Sequence, residues 1–167
     1  MERNSYTEKE SYVLMSWLAD ELQKLASDQG FSNIFQPGAM REVIVAHILG
    51  HKASGAKRGP DAMDRYRPGI NYEYLASNAG NFQMDRMYGY TKSKSQQQQS
   101  LERITRNESF FHILFDKSNP LKVLKIWKIP MNVVLEEAKA QLVFSAADHI
   151  SFSLPWTEGN GELVYEC

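Results

Sequence analysis

Cysteine is almost missing: the 167-residue sequence holds one, Cys167. That excludes an internal disulfide framework and any metal site built from several thiolates. Histidine is scarce, and His47, His51, His112 and His149 fall into no H-E-x-x-H or C-x-x-C spacing, so no zinc site is expected. Gly-rich phosphate loops of the G-x-G-x-x-G or Walker type are absent. No apolar run approaches the roughly 18 residues of a membrane span. The opening Met1–Glu10 is polar and mixed in charge, unlike a signal peptide. A cytoplasmic protein without a membrane partner is the expectation.

Apolar residues make up 43% and aromatics 11% of the sequence, enough for a folded core rather than a disordered tail. The length suits one domain, which at this size buries roughly 70% of its unfolded surface. Net charge is only −1, but it is unevenly spread. Residues 31–130 carry fifteen basic and eight acidic groups, a net of +7, whereas residues 1–30 and 131–167 carry −3 and −5. A basic middle between acidic ends points to an anionic partner, although a solvated surface gives the same count.

Thr7 and Glu10 have capping-box spacing, and Leu14, Leu18, Leu22 and Leu25 follow at helical intervals, so a helix is predicted over residues 8–28. Pro37-Gly38 and Gly50 bracket a second helix over residues 39–49, apolar on most sides. A basic loop, residues 51–60, precedes two short strands at 61–64 and 72–77 around the Pro68-Gly69 turn. Residues 78–109 are irregular, with low complexity at 93–100 and a short helix near 101–107. Strands at 110–115 and 121–129, a helix at 132–142, and strands at 149–156 and 162–165 complete a mixed α/β (α+β) single domain. Trp17, Trp127 and Trp156 read as core, as do Met84 and Met87.

Chemistry concentrates in Pro60-Asp61 and Tyr72-Glu73-Tyr74-Leu75. Two carboxylates on adjacent strands of one hairpin can converge on a divalent cation, and hard oxygen ligands suit Mg²⁺. Lys52, Lys57 and Arg58 just upstream are placed to neutralise a phosphate backbone. From spacing alone, a chance pairing beside a solvated loop remains the commoner explanation.

Residues 30–64 (GFSNIFQPGAMREVIVAHILGHKASGAKRGPDAMD) resemble, without a gap, the N-terminal part of PvuII-like type II restriction endonucleases of the PD-(D/E)xK nuclease superfamily. The resemblance continues after a longer turn into Tyr72-Glu73; elsewhere the chain agrees only in outline. It implies a restriction-endonuclease-like central mixed sheet flanked by helices, acting as a homodimer on double-stranded DNA through its N-terminal helix. A companion DNA methyltransferase is implied as well. By position, Asp61 and Glu73 would hold Mg²⁺, the backbone carbonyl of Tyr74 would add a third oxygen, and Glu42 resembles an extra acidic residue of some members. Asp64 is a remote alternative.

The family pattern places Lys two residues after the Glu, and this sequence has Leu75 there. Leucine carries no charge and neither donates nor accepts a proton. Losing a positioned acid–base group costs roughly 10²–10⁴-fold in rate. Three explanations compete: a cation from elsewhere (Lys57, Lys92, Lys94 or Arg86), a metal sufficient without it, or an inactive DNA-binding relative. By analogy, Asn81, Gln83 and Arg86 are candidate base contacts and Lys92 and Lys94 candidate phosphate contacts. A globular interaction protein with no nucleic-acid role is the remaining reading.

Overall fold

The computed structural model describes residues 6–56 and 59–167. Helix α1 (Glu8–Asp28) starts at the expected cap: Thr7 Oγ1 accepts the Glu10 N–H at 3.3 Å, and the Glu10 carboxylate accepts the Thr7 N–H at 2.8 Å. Ala26 is its one fully buried residue. With Leu22 it packs on Phe31, Ile34 and Ala39, so the body grips only the C-terminal turns. Trp17, expected in the core, is 57% exposed, because the periodic apolar face of α1 extends beyond the body.

Helix α2 (Ala39–Leu49) matches its predicted span, and Gly50 ends it in the left-handed conformation at φ 70°. The strands are β1 (Lys52–Ala53), β2 (Ala62–Met63), β3 (Asn71–Ser77), β4 (Asn81–Asp85), β5 (Ser109–Phe115), β6 (Val123–Pro130), β7 (His149–Ser153) and β8 (Glu162–Glu166). The later helices are α3 (Lys94–Thr105), α4 (Met131–Phe144) and α5 (Leu154–Asn160). Six strands form a central sheet in the order β1-β2-β3-β5-β6-β8, and β4 pairs with β7 as a separate two-stranded ribbon. All pairings are antiparallel except β3 with β5. A parallel pair needs a crossover, and the segment carrying β4 and α3 provides it. The fold is mixed α+β, a mostly antiparallel sheet flanked by helices. No helix among the described residues is long and apolar enough to cross a membrane.

Strand alternation divides the core. Tyr72 and Tyr74 of β3 face α2, with Val45, Ala46, Phe111 and Ile113. Leu75 lies on the opposite face with Phe82, Ile104, Phe110, Trp127 and Val134, among side chains from the ribbon, α3 and α4. Burying a large apolar side chain contributes about 1.5–3 kcal/mol, so these two clusters fix β3 in place from both sides.

Two stretches differ from expectation. The glutamine-rich segment is continuous helix: Ser93 Oγ accepts the Gln96 N–H, the Gln96 side chain accepts the Ser93 N–H, and glutamine is a good helix former. The strand expected to reach Trp156 stops at Ser153, whose hydroxyl accepts the Trp156 N–H ahead of Pro155 and starts α5. Residues 158–161, between the two expected strands, thereby belong to that helix and its cap.

Candidate active site

The start of α2, the approach to β2, the middle of β3 and one face of α3 line a partly enclosed cavity of about 920 Å³. Backbone pairing sets its floor. Asp61 N–H donates to the Tyr72 carbonyl at 3.1 Å, and Asp61 Oδ2 accepts the Tyr74 N–H at 2.7 Å. Asp61 is therefore stapled to β3 two residues apart, on either side of Glu73. Alternation turns the Glu73 side chain into the cavity, where it is 6% exposed. Glu42, in the first turn of α2, lines the same cavity.

The three carboxyls oppose one another's ionisation. Burial and then the charge of Glu73 raise the Asp61 pKa, against the Tyr74 N–H that favours its anion. Burial also raises Glu73, partly offset by Arg106 and Arg103, and with the neighbouring Glu73 charge it raises Glu42. Like charges gathered in a desolvated pocket are costly unless a cation joins them.

Two cations already reach Glu73. Arg106 Nη2 is 3.3 Å from Glu73 Oε2, and Arg103 Nη2 is 3.6 Å from Glu73 Oε1. Each guanidinium is also tied to backbone. Arg106 Nη2 donates to the Gly59 carbonyl at 2.9 Å, just ahead of Asp61, and Arg103 Nη1 donates to the Asp85 carbonyl at the end of β4. Buried Asn107 holds the end of α3 by donating to the Arg103 carbonyl at 2.9 Å.

The donor set fits a hard divalent cation: Asp61 and Glu73 offer carboxylate oxygens that repel each other. Tyr74, expected to add a third oxygen, presents its N–H to Asp61 and is not among the residues that line the cavity. No cluster of three His, Cys, Asp or Glu side chains able to hold a metal occurs among the described residues, so this is not a closed protein cage. Mg²⁺, which keeps several waters and takes one or two carboxylates, is the ion such a set suits.

The structure brings together Asp61, Glu73, Glu42 and Arg86, all lining the cavity. Leu75 shares the face of Glu73 but is sealed in the core at 5% exposure, so the position where the resemblance expects Lys holds an apolar packing residue. Asn81 and Gln83 are exposed on the outer face of the ribbon, opposite Ser153 and Ser151, while Phe82 and Met84 point into the core. Lys52 is exposed on the short strand β1 and does not line the cavity. Lys92 is paired with Asp148 at 3.2 Å, and Lys94 borders a separate cavity with Leu101 and Leu142, so neither lines the cavity of Asp61 and Glu73. Lys57 and Arg58 lie outside the described residues. Asp64 is occupied elsewhere, accepting the N–H groups of Tyr66 and Arg67, both at 2.9 Å.

Sequence reasoning missed Arg103 and Arg106. Their signal was present: Gln99, Glu102, Arg103 and Arg106 are spaced as one helical face and all line the cavity. Reading residues 93–100 as low complexity hid it. Among the described residues, Glu42, Asp61, Glu73 and Glu102 share that lining with Arg86, Arg103 and Arg106. In comparisons with known proteins, no family model matches the chain and no curated protein sequence matches it.

Proposed function

We propose that this protein is a Mg²⁺-dependent, site-specific endonuclease that hydrolyses phosphodiester bonds of duplex DNA, a PvuII-like relative within the PD-(D/E)xK superfamily. The observation that carries the reading is the placement of Asp61 and Glu73, which share one partly enclosed cavity with Glu42 and two arginines. A mixed sheet flanked by helices agrees with the restriction-endonuclease-like architecture that the sequence resemblance implies.

Asp61 and Glu73 would hold the ion, with Glu42 behind them. When bound there, Mg²⁺ supplies Lewis acidity toward a phosphate oxygen and lowers the pKa of water. The chain's own groups do the rest. Glu73 and Asp61 keep acceptor oxygens aimed into a cavity walled by protein. Arg103 and Arg106 stand where a phosphate gains negative charge as water attacks phosphorus and the P–O bond to the leaving sugar oxygen breaks. A guanidinium does not deprotonate, so these arginines stabilise charge and do not act as bases.

The ribbon β4–β7 supports the DNA reading. A two-stranded ribbon fits the major groove, and the outward amides of Asn81 and Gln83 suit adenine. Lys52 on β1, with Lys57 and Arg58 close by in sequence, suits the phosphate backbone. Helix α1 leaves Val13, Trp17 and Leu18 at least half exposed. A second copy covering that face makes a homodimer with one site for each strand. An enzyme of this kind needs a methyltransferase that protects its own recognition sites.

The test is purified protein with Mg²⁺ and mixed-sequence plasmid DNA, followed by sequencing of the ends. Discrete fragments sharing one terminal sequence are expected. DNA left uncut over a wide enzyme excess overturns the enzymatic reading. Leu75 favours one alternative, a site-specific DNA-binding protein that does not cut. Cleavage by Leu75→Lys, and not by the unaltered chain, would establish that alternative.

A further inference from the structure

We propose, resting on the nuclease reading above, that Arg103 and Arg106 form a phosphate clamp that holds Glu73 until a DNA phosphate replaces it, so that DNA and metal strengthen each other's binding. Each oxygen of Glu73 faces a different guanidinium, at 3.6 Å and 3.3 Å. A carboxylate engaged on both oxygens is a weakened metal ligand, and a dication beside it meets two positive charges. The same guanidiniums match a phosphate at least as well, since planar N–H forks recognise carboxylate and phosphate alike.

Competition for Glu73 supplies the coupling. A dication entering alone must compete with the arginines for Glu73, and a phosphate entering alone must compete with Glu73 for the arginines. Entering together, each removes the other's competitor, and the arginines pass from carboxylate to phosphate. Their anchoring fits a small shift of this kind. Arg106 is held at the Gly59 carbonyl and Arg103 at the Asp85 carbonyl, while both side chains keep 30% of their surface exposed. The clamp thus reaches the cavity from α3, far along the chain from the hairpin where sequence pattern places the cation.

Coupling between two ligands typically amounts to about 5–150-fold in affinity, and by linkage it is equal in both directions. The test is calorimetric titration of the full chain with Ca²⁺, used in place of Mg²⁺ to prevent turnover, with and without mixed-sequence duplex DNA. Wild type is expected to bind Ca²⁺ at least about 5-fold more tightly with duplex present. The double variant Arg103→Gln/Arg106→Gln is expected to bind Ca²⁺ more tightly than wild type without DNA, and to lose the effect of duplex. The double lysine variant keeps the charges and retains part of the coupling; it also serves if the glutamine variant does not melt cooperatively. Ca²⁺ affinity that duplex leaves unchanged, in a protein that still cuts DNA with Mg²⁺, overturns the clamp alone. Wild type that binds Ca²⁺ but no duplex overturns the nuclease reading together with the clamp. Weaker Ca²⁺ binding by both variants without DNA assigns the arginines a merely structural role and also overturns the clamp.

Discussion

The two ends of the β2–β3 hairpin each carry an aspartate, Asp61 and Asp64, and treat it in opposite ways. At the turn end, Asp64 accepts the N–H groups of Tyr66 and Arg67, the Arg67 guanidinium at 2.8 Å and the Tyr72 hydroxyl at 2.9 Å. The Tyr66 N–H and the Arg67 side chain hold its carboxyl well below the usual carboxylate range. At the cavity end, Asp61 has the Tyr74 N–H as its hydrogen-bond donor, and burial beside Glu73 pushes its pKa up. Donors that saturate a carboxylate make it structural. One held in position, yet short of compensating charge, is poised for a ligand.

The largest effect that can break this comparison is on turnover. Asp61→Asn is expected to lower Mg²⁺-dependent cleavage by on the order of 10²–10³-fold, the scale of one lost electrostatic stabiliser. Asp64→Asn should stay within a few-fold of wild type while lowering the Tm, because the turn loses its charged acceptor. Equal losses in a plasmid-nicking assay would erase the distinction between the two ends.

Next comes Leu75, buried in the core with Phe82 and Phe110. Leu75→Ala should cost about 2–5 kcal/mol in urea unfolding, the range of buried leucine truncations. A neutral result would place Leu75 outside the core.

Smaller, and of opposite sign at the two ends, is the pH dependence of Tm measured with chelator present. Asp61 binds its proton more tightly folded than unfolded. Its contribution is therefore complete below the ordinary carboxylate range and is lost as pH rises through the raised pKa. Asp64 behaves inversely, contributing above its unfolded pKa and losing that contribution as pH falls. Asp61→Asn should flatten the alkaline slope and raise Tm at neutral pH by a few degrees. A Tm that rises steadily with pH from the carboxylate range to pH 9 would contradict it.

The smallest concerns Arg86, which lines the cavity at φ 58°, a left-handed conformation costly for residues other than glycine. Arg86→Gly should raise stability by about 1 kcal/mol in urea unfolding, with weaker DNA binding at low salt. A loss of stability would show the side chain to be holding the turn.

Local chemistry decided what could be read from sequence. The α1 and α2 spans were legible because a capping box and flanking glycines act within a few residues. Asp61 and Glu73 were legible because the hairpin that joins them is short. The cations of Glu73 were not, because they arrive on α3 after a crossover, and sequence pattern does not fix which helical face meets a strand from an earlier element. The ribbon β4–β7 was obscured similarly, since its two strands stand far apart in the chain and one continues directly into α5. Trp17 misled for a related reason: apolar periodicity marks a face to be covered without saying that this chain covers it.

Helix α3 ends at Thr105 and β5 begins at Ser109, opposite Tyr72, with the Glu108 N–H bonded to the Asn71 carbonyl at 2.9 Å. Three residues thus gear the rotation of the arginine face to the register of β3. A single insertion there would turn the helix by about 100° and carry both guanidiniums out of the cavity. Upstream, residues 86–93 join β4 to α3 without strand pairing but under restraints of their own: Met87 is fully buried with its N–H on the Asp148 carbonyl at 3.2 Å, and the Tyr90 N–H reaches the Leu142 carbonyl at 3.1 Å. Whoever sets out to lengthen the β4–β7 ribbon therefore finds α3 held at both of its ends.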